Sequence, residues 1–148
     1  SFLRFNDSWG THRGYMWIRS FWIFGDFSFY NKLFGSGPDT FATVFEPYFE
    51  GLMHYGDSST NCAHNEYINY LVTGILGLAS YLTILFGALK GAIKSAAKNP
   101  LAIIFAVSVI SYAVQATVNL AQPITTPLFI IFVSLCEAVS RQQKAVNN

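Results

Sequence analysis

The fold class predicted by this sequence is all-α: a polytopic membrane protein fragment with a large external loop of short helices followed by three transmembrane helices. Three observations carry that prediction. Of 148 residues, 52% are hydrophobic and only 11% charged, too apolar for an ordinary soluble domain. Residues 67–89 contain no charge over 23 positions; at ~1.5 Å per residue such a helix crosses a hydrocarbon core of about 30 Å. Two more apolar stretches follow between Lys98 and Arg141, the first of them without a charge.

The elements come in order as follows. Residues 1–10 have neither the basic start nor the apolar centre of a signal peptide, so the sequence reads as part of a longer chain. Asp7, Ser8 and Thr11 are cap-type residues, and they introduce a helix predicted from about residue 12 to 24. Arg13 and Arg19 keep it from spanning a bilayer, whereas Tyr15, Trp17, Phe21, Trp22 and Phe24 suit the membrane interface. At ~100° per residue Arg13 and Trp17 share a face, and Arg19 lies roughly 240° round from Arg13, so the two arginines do not grip one group side by side. The run from Leu33 to Asp39 is a turn signal built on Gly35 and Gly37, and an aromatic, acidic loop continues through Phe41, Phe45, Tyr48, Phe49 and Tyr55.

A boundary follows at 61–67, dividing an extracytoplasmic region, 1–66, from a membrane region and cytoplasmic tail, 67–148. Spans are predicted over 67–89, over 100–121, and from 123 or 126 to 139. Gly74, Gly77, Ser80, Gly87 and Gly91 form a small-residue stripe suited to close approach of another helix. Lys90, Lys94 and Lys98 after the first span, and Arg141 and Lys144 after the third, place those ends in the cytoplasm and His64 outside. The charges agree: residues 1–66 hold four basic groups against seven carboxylates, and the remainder five basic groups against Glu137 alone. A net charge of +1 without a basic cluster excludes nucleic acid as a partner.

Ionisable and amide side chains narrow the search for a site. Cys62 and Cys136 fall on opposite sides of the predicted membrane and are expected unpaired. Cys62 and His64 lack the further ligands of a zinc centre, so no metal is expected. Asn65 either caps the following helix or binds sugar hydroxyls, and Glu66 in the first turn is stabilised by the helix dipole. Gln115, Asn119 and Gln122 would form a polar stripe at the outer end of the second span. Glu137 and Arg141, four apart, are expected to pair, and His12 and His54 have no motif around them.

Arg13-x-x-x-Trp17, then Gly35-x-Gly37, then Ala63-His64-Asn65-Glu66-Tyr67 running into the glycine-rich stretch 72–78 resemble, in order and spacing, the C-terminal half of the O-antigen ligase and polysaccharide polymerase family. The likeness covers roughly residues 9–89; the later spans fit only as generic membrane helices. It implies a metal-independent membrane glycosyltransferase of the bacterial cytoplasmic (inner) membrane, with no cofactor. Its donor would be a polyprenyl-diphosphate-linked glycan and its acceptor a glycan or lipid hydroxyl. By the same resemblance His64 is the catalytic base and Arg13, with Arg19 beside it as a second candidate, binds the donor diphosphate; Asn65, Glu66 and Trp17 support them. The chemistry suits these residue types, because guanidinium groups stabilise a leaving diphosphate and a neutral imidazole takes a proton near pH 7. Two readings compete: a transporter or flippase of lipid-linked sugars, and a non-catalytic membrane assembly subunit. A transporter would place its ionisable groups near the bilayer midplane, whereas here they gather before residue 67.

Overall fold

The computed structural model describes residues 4–147, and among them every regular element is a helix. The chain forms two compact units, one comprising the chain up to Leu78 together with Val118–Leu120, the other Ala79–Thr117 and the chain from Ala121 onward.

In the first unit, α1 (Trp9–Asp26) opens with three successive left-handed residues, Gly10, Thr11 and His12, at φ of 61°, 59° and 58°. Regular right-handed helix therefore starts at Arg13, close to the predicted start. Helix α2 (Phe29–Phe34) is capped by Ser28, whose Oγ accepts from Asn31 N at 3.2 Å. The stretch after it, predicted as loop, contains α3 (Phe41–Phe45), a 3-10 turn (Glu46–Tyr48) and α4 (Phe49–Met53). Phe41 and Phe45 stack at 5.3 Å, and with Tyr15, Met16, Ile23, Leu52, Ala63, Ile68 and Val72 they make one buried core. The aromatic loop is thus the interior of a folded unit. Sequestering rings of this size supplies most of the free energy holding such short helices, which do not persist alone.

The predicted first span is broken. Helix α5 (Glu66–Val72) stops at Thr73, Gly74 takes φ +116°, and α6 (Ile75–Ala96) begins afresh. The cause is a backbone-to-backbone contact with the glycine turn: a Cβ on Gly35 would collide with the Thr73 carbonyl, and one on Gly74 with Leu33, Phe34 and Gly35. Ser36 N and Oγ both reach Val72 O at 3.4 Å across the same junction. Two glycines in left-handed conformations meet where neither a side chain nor a continuous helix would fit.

In the second unit α6 carries Lys90 and Lys94 on its last turns, the latter well placed against the C-terminal dipole. Helices α7 (Leu101–Gln115) and α8 (Thr125–Asn147) pack antiparallel, with Tyr112 stacked on Phe129 at 4.3 Å and Phe105 near Phe132 at 6.4 Å. Of the predicted small-residue stripe, Gly91 makes a close helix approach, an added Cβ lying 3.0 Å from Ser140 Oγ, whereas Gly87 faces open space. The second apolar helix ends at Gln115 and does not reach 121, so Gln115, Asn119 and Gln122 form no helical stripe. Thr117 Oγ1 bonds back to Val114 O at 2.7 Å, Asn119 Oδ1 accepts from Leu120 N, and Pro123 bars continuation. The expected Glu137–Arg141 pair forms at 2.8 Å; the side chain of Lys144 lies outside the described residues. Among the described residues α6 is the one helix both long and apolar enough to cross a bilayer by length and composition. Helix α7 is apolar but, at 15 residues, covers only about 22 Å.

Candidate functional site

A hydrogen bond ties helix α1 to the boundary segment 61–66: Trp17 Nε1 donates to Ala63 O at 2.8 Å. Ala63 N in turn donates to Asn69 Oδ1 at 2.8 Å, so the residue before His64 is held at both its N–H and its carbonyl. Asn65 is extended, at φ −154° and ψ 115°, and its Oδ1 accepts from Ile68 N at 3.0 Å. It is the N-cap of α5, the structural alternative of the two that the sequence left open. Glu66 follows in the first turn with 4% of its surface exposed.

Pinned between the Ala63 peptide and the Asn65 cap, His64 takes a left-handed conformation at φ +49°. Non-glycine residues enter that region at a cost of order 1 kcal/mol, and where they persist the surroundings hold them. The turn aims His64 into a cleft of about 470 Å³, whose other walls include Met16, Phe49, Asp57, Thr60 and Asn61. Burial pushes its imidazole below the usual 6.5; the Arg13 guanidinium and His12 act in the same direction, and the Asp57 carboxylate opposes them. His64 is therefore a neutral ring able to accept a proton at neutral pH. Cys62 is a free, buried thiol. Burial raises its pKa, and a hydrogen bond from the His64 backbone partly offsets the rise, so it stays protonated and unreactive.

The two arginines have different surroundings. Arg19 forms a two-pronged ion pair with Asp7, at 3.1 and 2.9 Å, and its guanidinium lies over the Tyr15 and Trp22 rings at 4.2 and 4.5 Å. Its guanidinium is thus engaged by a carboxylate and by two aromatic rings. Arg13 lies within ion-pairing distance of no carboxylate among the described residues, and its charge acts on His64. His64 thus lines the cleft, the charge of Arg13 acts on it, Trp17 holds the carbonyl of the residue before it, Asn65 and Glu66 start the helix after it, and Arg19 belongs to a separate cluster.

Sequence reasoning passed over one pair. His12 Nε2 lies 2.6 Å from Asp57 Oδ2, and its ring stacks on Tyr55 at 5.5 Å. The partners are 45 residues apart with no shared motif, so only their chemical types, a histidine before the motif arginine and a carboxylate before the boundary, marked them. Among the described residues no three His, Cys, Asp or Glu side chains are grouped as metal ligands. Comparison of the chain with protein families, with curated proteins and with solved structures gave no match.

Proposed function

We propose that this chain takes part in glycan transfer from a polyprenyl-diphosphate-linked donor to an acceptor hydroxyl, at the outer face of a bacterial cytoplasmic membrane. What supports the reading is the meeting of His64, a neutral imidazole at a cleft, with Arg13, a guanidinium bound to no carboxylate among the described residues. His64 takes the proton from the acceptor hydroxyl as its oxygen bonds to the anomeric carbon. The bond from that carbon to the diphosphate oxygen breaks, and the electron pair leaves on the diphosphate, where Arg13 meets the charge. Arg19 contributes indirectly, by fixing α1 against Asp7 and so setting the position of Arg13.

The proposal carries a membrane arrangement with it: α6, α7 and the apolar part of α8 as three spans, the cleft outside and the C-terminus inside. The apolar side chains on these helices support it, since Ile84, Phe86, Ile104, Val107, Ile130 and Ile131 are each more than half exposed. Left in water, so many would form an aggregating surface. Replacing His64 by Ala in cells should stop surface polysaccharide transfer, by at least ~100-fold given what general bases contribute, while the protein still inserts and lipid-linked donor accumulates. Unchanged polymer amount and length in that variant would overturn the reading in favour of a non-catalytic assembly role.

A further inference from the structure

Two histidines in the first unit are held in left-handed backbone, His12 at φ 58° and His64 at φ 49°. His12 is the last of three such residues in a row, so the chain makes a full left-handed turn before α1 becomes regular. Local strain of this kind survives only where tertiary contacts over-determine it. What the turn achieves is visible: it sets the His12 ring against Tyr55 and its Nε2 on Asp57 Oδ2 at 2.6 Å. A carboxylate oxygen can only accept, so Nε2 carries the hydrogen. Oδ2 is thereby taken, and Asp57 lines the same cleft as His64.

The charges acting on His64 come from two elements: Arg13 and His12 on α1, and Asp57 on the segment before the boundary. Asp57 alone is negative. When His64 accepts a proton its ring becomes positive, beside an arginine that is already positive. Without a counter-charge that step would be opposed. We infer that Asp57, held by His12, is the positioning carboxylate for the imidazolium that His64 becomes, so the acid–base unit of the cleft is His12–Asp57–His64. His12 orients the carboxylate and Asp57 offsets Arg13, while only His64 exchanges a proton with the acceptor. The inference rests on the proposed role of His64 as base, but the electrostatic coupling is measurable without any transfer assay.

Deuterium exchange at the imidazole C2, read per histidine by mass spectrometry on the full chain in detergent, gives the titration midpoint of His64 directly. Asp57→Asn should lower that midpoint and cut transfer about tenfold or more, within the range attributed to acid–base groups. Asp57→Glu should restore both in part. His12→Gln, which retains an N–H donor for Asp57 but no positive form, should raise the midpoint. An unmoved His64 midpoint in Asp57→Asn would overturn the inference and reduce the pair to a structural clip. Should Asp57→Asn fail to fold, Asp57→Ser, which also removes the carboxylate, decides in its place, because His12→Gln reports the charge of His12 itself. Failure of the underlying reading looks different: His64→Ala would then keep full transfer even though the Asp57 and His12 variants shift His64.

Discussion

At the scale of single residues, His64 ties stability and activity to pH with a definite sign. Its folded-state pKa lies below the ordinary 6.5, so as pH falls the unfolded chain takes up the proton first. The stability associated with a neutral His64 is complete above about 6.5 and is lost as pH falls from there through the lower, folded value. A His64→Asn variant retains a residue that tolerates left-handed backbone but has no proton to gain. Its melting temperature should lack that acid-side loss while its transfer activity is gone. Arg13→Gln should remove part of the depression, moving the acid limb of transfer upward in pH, and should weaken donor use by about 10-fold or more, the loss of one charge-assisted contact. A limb that stays put would show that Arg13 does not act on His64. Trp17→Phe leaves Ala63 O without its indole donor and should cost about 1 kcal/mol in denaturant unfolding.

At the scale of elements, the left-handed turn before α1 is a strain that one substitution can relieve. Thr11 is exposed at φ 59° and takes no part in the His12–Asp57 contact. Thr11→Gly should therefore raise stability by up to about 1 kcal/mol with activity unchanged, measured by thermal unfolding and by transfer. Local signals were legible in the Asn65 cap of α5 and the Glu137–Arg141 pair on α8, whereas before α1 Ser8 makes no capping hydrogen bond, Asp7 binds Arg19 and Thr11 is left-handed. Phe41, Phe45 and Phe49 recur every fourth residue, and that period was the available sign that the supposed loop is helical and buried. The break before α6 was not legible, because Gly74 reads equally well as an ordinary member of a small-residue stripe until Gly35, 39 positions earlier, is seen to dock on it. The same limit hid the His12–Asp57 pair. Arg13 and His64 were singled out through the resemblance, helical angle separated Arg13 from Arg19, and the ion pair with Asp7 is the contact that the angle could not show.

At the scale of the whole molecule, the two units differ in what they bury. The first encloses an aromatic core of Tyr15, Phe41 and Phe45 while Phe21, Phe29 and Phe34 stay exposed, and the second leaves isoleucine, valine and phenylalanine outward on α6, α7 and α8. If those faces meet lipid, cysteines introduced at exposed Ser59 and at Lys94 should label asymmetrically in intact cells: position 59 with an impermeant thiol reagent at once, position 94 only after permeabilisation. The reverse pattern would invert the proposed orientation. The backbone contact between Gly35 and Gly74 has a consequence for how the sequence can vary. No atom smaller than a methyl group exists for a side chain to start from, so neither position offers a series of graded replacements; each is all or nothing. In a saturation library selected for function, positions 35 and 74 should be two columns from which every alternative is depleted. Gly25 and Gly87, with open space where a Cβ would go, should accept alanine freely. Such a tolerance map would mark the seam between turn and helix by genetics alone.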